Sequence, residues 1–167
     1  MMDQSVTLYD DFLPEDIFLK LQEFLLGERL PWFHSDSTID YDGCPQYSHM
    51  FYSDCEPCSD YWEHIRPVVS HLSPLGLTRV KFNATPKTSE IVQSPLHYDV
   101  IDQEDKPVNL NICILYMNDN DGYTYFDDGT RVESKANRCI IFPNRYRHGG
   151  TTCTNANRRI VGNFVYL

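Results

Sequence analysis

No stretch of the chain approaches the ~18–20 consecutive apolar residues that a membrane span requires, so no membrane partner is expected. The N-terminus, MMDQSVTLYDD, has neither a basic flank nor an apolar run. It does not read as a secretory signal, and a cytoplasmic protein is the expectation. Basic residues are few: 14 Lys and Arg stand against 24 Asp and Glu, a formal net charge of −10. Such a surface repels phosphate backbones at long range, which argues against binding duplex nucleic acid. Internal repeats, low-complexity tracts and linkers are also missing. What is present, 167 residues with 41 % hydrophobic and 23 % charged, reads as one globular domain, 1–167. That is long enough to bury a core without disulfide staples.

Six cysteines stand at positions 44, 55, 58, 113, 139 and 153. Without a secretory signal they read as free thiols. Cys113 and Cys139 lie in apolar runs and read as small core residues. Cys44, His49, Cys55 and Cys58 surround a CEPC sequence that could hold a structural zinc ion or act as a redox pair. A zinc site usually has two tight ligand pairs and here only one is tight, so a plain loop is the favoured reading.

Along the chain, VTLYDDFLPEDIFLKLQEFLLGERL predicts a short strand and then a helix. Pro14 suits a first helical turn, Ile17, Leu21, Phe24 and Leu25 form an apolar stripe, and Gly27 supplies a stop. A second helix is expected from about Asp60 to Leu72, after Ser59 as a cap, with Pro67 restricting it. The rest is strand-like: RVKFNAT, VNLNICILYM, YTYFDD, TRVES, RCIIFP and RRIVGNFVYL, separated by Gly, Asn, Asp and Pro. ICILYM is apolar on both faces and should be a buried strand. Two helices followed by six strands predict an α+β, β-rich fold: a jelly-roll (double-stranded β-helix) core with N-terminal helices on one sheet. Residues 1–77 would supply helical support and substrate-side loops, and 78–167 the core.

The chemistry-bearing motif is His97-Tyr98-Asp99. In a strand, residues two apart share a face, so both side chains can reach one metal ion, with His148 arriving from a distant strand. Two imidazoles and one carboxylate leave open positions on an octahedral ion, the arrangement used by non-haem Fe(II) oxygenases. The motif alone is weak, since six His and 24 acidic residues make about one such pair expected by chance. Arg158, ten residues after His148, adds weight. An inward guanidinium among apolar residues needs an anion and can clamp a dicarboxylate end-on, while Arg159 would point the opposite way.

These residues resemble the 2-oxoglutarate-dependent Fe(II) oxygenase superfamily, in particular its compact, prolyl-hydroxylase-like branch in bacteria and their viruses. The likeness is strongest from about Arg79 to Leu167. It implies metal ligands His97, Asp99 and His148, and Arg158 holding the far carboxylate of 2-oxoglutarate, with Phe164 at the family's aromatic position six residues later. ILYMND is similar to the strand that carries a co-substrate-binding tyrosine, which implies that role for Tyr116. Asn83 stands where prolyl hydroxylases carry a second such tyrosine. The implied cofactors are Fe(II), 2-oxoglutarate as co-substrate and O2, with ascorbate as an optional reductant. The implied reaction is hydroxylation of an acceptor, since Asp99 is retained where halogenating relatives carry a small residue.

A peptide or protein bearing a peptidyl proline is the first acceptor class to consider, and a free amino acid or small metabolite is the alternative. Nucleic-acid dealkylation is disfavoured, because the second arginine of that branch's RxxxxxR pattern is Phe164 here. From a different class come a zinc hydrolase using the same three ligands and a non-catalytic jelly-roll binding or virion-associated module.

Overall fold

The computed structural model describes residues 6–36 and 45–167. Strand β1 (Thr7–Tyr9) leads into helix α1 (Glu15–Leu26), followed by β2 (Phe33–Ser35), β3 (Gln46–Ser53), β4 (Glu56–Pro57) and helix α2 (Trp62–Leu72). The remaining strands are β5 (Leu77–Pro86), β6 (Asn111–Tyr116), β7 (Tyr123–Phe126), β8 (Arg131–Glu133), β9 (Cys139–Pro143), β10 (His148–Gly150) and β11 (Arg158–Tyr166). Every pairing between these strands is antiparallel. The large sheet runs β1-β9-β6-β11-β5-β3-β2, with β4 beside β3, and a small sheet runs β10-β7-β8. This is the expected α+β jelly-roll arrangement with both helices on the large sheet. Among the described residues no helix is long and apolar enough to cross a membrane.

The period-2 alternation of the long strands sorts side chains between two cores. Val80, Phe82 and Ala84 of β5, Cys113 and Leu115 of β6, and Ile160 and Phe164 of β11 pack under the helices. From the helices come Phe18, Leu21, Phe24 and Leu25 of α1 with Ile65 and Val68 of α2. Ile17, expected in that stripe, lies at its edge. The opposite faces bring Ile112, Ile114, Tyr116, Val161 and Val165 against Phe126, Val132 and Phe142. ICILYM is buried on both faces, as its composition requires. From Arg79 in β5, and along β11, the odd-numbered residues therefore face away from the helices, and this parity positions the site.

Both helix ends depart in detail from expectation. Pro14 sits just outside α1 with an extended ψ, and Gly27 stops the helix at φ −74°, without left-handed backbone. Gly27 is needed for space: a Cβ there would lie 2.9 Å from the Glu23 carbonyl oxygen. Helix α2 begins two residues later than predicted, at Trp62, and Ser59 Oγ accepts from the Tyr61 amide before it. Strand β3 was not expected. Its buried Gln46, His49 and Phe51 follow no clean alternation, because the register with β5 shifts between Met50 and Tyr52. A bulge of this kind hides a strand from periodicity.

β1 is fastened at its end by Asp10, which accepts from Arg138 Nε at 2.7 Å and Nη2 at 3.1 Å, with Lys135 3.2 Å away. Hydrogen bonding to Arg138, helped by Lys135, holds the Asp10 carboxyl down at about 2 against an opposing effect of burial. A depressed carboxyl contributes stability above its unfolded value of about 4, and loses it as pH falls through the folded value. Solvent screening limits the contribution to roughly 0.2–1 kcal/mol. Amide protection in residues 7–9, relative to the intrinsic exchange rate at each pH, is expected to fall between about pH 4 and pH 2 ahead of the other strands. Asp10→Asn should abolish that pH dependence, and unchanged behaviour in the variant would exclude this fastening.

Candidate functional site

His97 and His148 meet through a reciprocal pair of backbone hydrogen bonds, His97 N–H to His148 O at 3.0 Å and His148 N–H to His97 O at 3.1 Å. Only His148 lies in a regular strand, so isolated bridges, His97 to His148 and Gln93 to Thr151, bring the two segments together. The ligand atoms of His97, Asp99 and His148 all lie within 4.8 Å of one another. His97 Nδ1 is 3.1 Å from the Pro95 carbonyl and His148 Nδ1 is 3.4 Å from the Tyr146 carbonyl. Carbonyls accept only, so these contacts favour protons on Nδ1 and leave both Nε2 atoms as metal donors. The His148 ring is wedged against Phe142 and Phe126.

Asp99 is held more firmly than the motif could suggest. Arg79 Nη2 donates to Oδ1 at 2.6 Å, Asn163 Nδ2 donates to Oδ2 at 3.0 Å, and His148 Nε2 is 3.3 Å from Oδ2. Burial alone would raise the Asp99 carboxyl, but His148, Arg79 and His97 outweigh it and hold the group far below the carboxylate range. His97 is pushed down, first by burial and then by His148. Asn144, almost fully buried, clamps the following loop. Its Oδ1 accepts from the Asp99 and Val100 amides, and its Nδ2 donates to the Val100 and Val108 carbonyls. The segment after the motif is thus anchored at both of its ends by one side chain.

The cluster opens on a cavity of about 240 Å³ between the two sheets. Its walls include Ile114, Thr124, Val161 and Gly150, with the charged side chains Lys81, Asp99 and Arg159. Here the arginine expectation needs correction. Arg158 does not line the cavity; its Nη2 donates to the carbonyl of Leu26, the last residue of α1, at 2.6 Å. Arg159 lines the cavity, 3 % exposed, on the same face of β11 as Asn163. The physical reason is strand parity. Phe164, six residues after Arg158, shares its face, and that face packs on the helices.

Arg159 Nε donates to Ser134 Oγ at 2.9 Å and Nη2 to Thr124 Oγ1 at 3.1 Å, with the guanidinium 5.6 Å over the Tyr116 ring. None of the described carboxylates lies in ion-pair range of it, and burial pushes its pKa down. Tyr116 does not line the cavity: it is fully buried and donates its hydroxyl to Thr124 Oγ1 at 2.8 Å. Burial raises its pKa to about 12. Asn83 lines the cavity, and its Oδ1 is buried with no hydrogen-bond partner among the described residues.

The other ligand candidate gains no support. Both ring nitrogens of His49 are engaged, with the Pro31 carbonyl and Ser59 Oγ, and Cys58 Sγ contacts the Met50 carbonyl. Cys44 lies outside the described residues. Cys113 and Cys139 are core thiols, as expected, 3.2 Å apart.

No family model matches the sequence, and no curated protein matches it. Solved structures do match. A prolyl hydroxylase from Trichoplax adhaerens, in complex with a hypoxia-inducible-factor oxygen-degradation-domain peptide fragment, superposes with a TM-score of 0.68 at 12 % identity. That match covers 98 % of this chain and 84 % of the other. An oxidoreductase of the 2OG-Fe(II) oxygenase family from Burkholderia pseudomallei gives 0.66 at 12 % identity, covering 96 % and 84 %. The viral collagen prolyl hydroxylase of Paramecium bursaria Chlorella virus-1, in its 2-oxoglutarate complex, gives 0.62 at 14 % identity, covering 98 % and 96 %. Over its described residues, this chain has the fold of the 2-oxoglutarate- and Fe(II)-dependent oxygenases.

Proposed function

We propose that the protein is a non-haem Fe(II), 2-oxoglutarate-dependent dioxygenase that hydroxylates an organic acceptor. One juxtaposition carries the reading: a His–Asp–His cluster opens on the same cavity as a buried arginine that has no carboxylate partner among the described residues. A buried guanidinium without an anion is costly, and the far carboxylate of a dicarboxylic acid relieves that cost. The donor set fits the metal, since two neutral imidazoles and one carboxylate suit Fe(II) and leave positions open.

When bound, iron would activate O2, the oxidant: 2-oxoglutarate would give up two electrons and become succinate and CO2 with one oxygen atom, and the other oxygen atom would enter an acceptor C–H bond. This chain's residues bind and orient. His97, Asp99 and His148 hold the ion, while Arg79 and Asn163 fix the Asp99 carboxylate in one orientation. Arg159 holds the far carboxylate. Thr124 Oγ1 already accepts from Tyr116 and Arg159, so its own proton is free to donate to the same carboxylate. Tyr116 acts behind Thr124, without touching the co-substrate. Ile114 and Val161 supply apolar walls that limit water. A Cβ on Gly150 would lie 3.3 Å from Arg159 Nη1, so the glycine preserves room around the guanidinium. The peptide-bound Trichoplax enzyme suggests a peptidyl acceptor, whereas the modest cavity volume suits a small molecule.

The test is spectroscopic. Fe(II) and then 2-oxoglutarate are added to the metal-free protein without oxygen, and a metal-to-ligand charge-transfer band is expected in the visible range. His97→Ala should remove it. A folded, metal-loaded wild type that shows no band would sink the oxygenase reading and favour a non-catalytic binding module.

A further inference from the structure

β5 sends alternate side chains toward the cavity side of the sheet: Arg79, Lys81, Asn83 and Thr85. Arg79 is committed to Asp99. The next two are uncommitted. Among the described residues Lys81 makes no hydrogen bond and no ion pair; the charges it feels are Arg79 and Asp99. Burial, with Arg79, pushes its pKa down. Asn83 Oδ1 is buried and, among the described residues, unpaired. A half-buried ammonium and a buried amide oxygen both cost free energy until a ligand satisfies them.

2-Oxoglutarate does not satisfy both. As a dianion it carries only acceptor oxygens and cannot donate to Asn83 Oδ1. Its two ends are also spoken for, one at the metal and one at Arg159. The strand register separates the two cations. Lys81 lies opposite Asn163, which bonds Asp99, whereas Arg159 lies opposite Thr85. Along β11 the four residues from Asn163 to Arg159 span about 13 Å. Lys81 therefore stands at the metal end of the cavity and Arg159 at the far end. Once Asp99 is engaged by a metal ion, the charged side chains left on the cavity wall are both cationic, although the chain as a whole carries −10. Such a wall selects anions.

We propose that Lys81 and Asn83 form the acceptor subsite, and that the acceptor is a small molecule carrying a carboxylate beside a hydrogen-bond donor, the chemistry of a free α-amino acid. The inference rests on the oxygenase reading and assigns that enzyme its substrate class. Lys81 Nζ pairs with the carboxylate and Asn83 Oδ1 accepts from the ammonium, which leaves the amino-acid side chain to face the metal. An internal peptidyl proline offers neither charge.

The test uses the protein loaded with Fe(II) and 2-oxoglutarate without oxygen, titrated with the common L-α-amino acids while the visible absorption is followed. At least one amino acid is expected to perturb the band saturably. Its carboxamide should bind roughly tenfold more weakly or worse, because the ion pair to Lys81 is then replaced by a neutral hydrogen bond. Lys81→Met should weaken that amino acid to a similar extent while changing 2-oxoglutarate affinity by less than about twofold. Lys81→Arg should retain most of the binding, and Asn83→Leu should lose it. Lys81 has no partner to lose among the described residues and its burial is costly, so Lys81→Met should unfold thermally no earlier than the wild type. The proposal is overturned if no amino acid perturbs the band, if carboxamides bind as well as acids, or if Lys81→Met weakens 2-oxoglutarate itself. Failure of the oxygenase reading is distinguishable, because it removes the band before any amino acid is added. Calorimetric titration of the amino acids into metal-free protein then reads the Lys81 subsite independently.

Discussion

Replacing Arg159 with leucine is expected to abolish productive 2-oxoglutarate binding while leaving the metal-free protein as stable as before or more so. Removing one partner from a buried, hydrogen-bonded charge pair costs about 2–5 kcal/mol of binding, which is a loss of roughly 30-fold to several thousand-fold in affinity. In the metal-free protein the same guanidinium is a buried charge with hydroxyl partners alone, on Ser134 and Thr124, so an apolar replacement removes a desolvation penalty. Arg159→Lys should fall between, keeping the charge but losing the planar fork. Arg158→Ala is the control. It loses one hydrogen bond to the end of α1, worth about 0.5–1.5 kcal/mol of stability, and should leave co-substrate affinity within about twofold. The measurement is the anaerobic dependence of the charge-transfer band on 2-oxoglutarate concentration. Loss of binding in Arg158→Ala, with Arg159→Leu unaffected, would refute the assignment.

That one-residue difference shows where a sequence can and cannot be read. Fold class was legible because six strand-like runs follow the two helices, separated by Gly, Asn, Asp and Pro, and the ICILYM run has no surface face. The three candidate metal ligands were legible as residue types at a spacing, and the structure brings them within reach of one ion. What brings them together was not: isolated backbone bridges, His97 to His148 and Gln93 to Thr151, leave no periodic pattern. Arg158 and Arg159 are chemically identical and adjacent, so only strand parity separates them. Parity could have been read from the sequence. Ile160 and Phe164 of β11 belong with the helix core, and Arg158 shares their parity, while Val161 and Asn163 share that of Arg159. The family's aromatic spacing points to Arg158 instead, and an even spacing always returns to the same face. The side chains that hold Asp99 were beyond reach for a different reason. Arg79, Asn144 and Asn163 are polar residues in strands or loops, and a single sequence does not say which of them an aspartate 20, 45 or 64 residues away will meet, Arg79 and Asn163 at its carboxylate and Asn144 at its backbone amide.

Arg79 carries the other large effect. The ion pair to Asp99 is mostly removed from water, with side chains 23 % and 8 % exposed. Breaking a buried pair by deleting one partner costs about 3–5 kcal/mol. Asn163 and His148 remain beside the carboxylate, so the low end applies. Arg79→Met is thus expected to lower the melting temperature of the metal-free protein by roughly 6–12 °C for a chain of this size. A bound divalent ion changes the balance, because it places more positive charge on Asp99 than the guanidinium did. The variant should therefore recover much of its stability on adding Fe(II), or Zn(II) as an inert stand-in. Thermodynamic linkage then requires tighter metal binding in the variant than in the wild type, by the difference between the two stability losses. Turnover should fall in the same variant, since Asp99 is no longer held by two donors and the remaining ligand geometry loosens. Melting curves with and without metal separate this role from simple packing. Equal losses in both forms would mean that Arg79 supports the sheet and does not tune the metal-binding carboxylate.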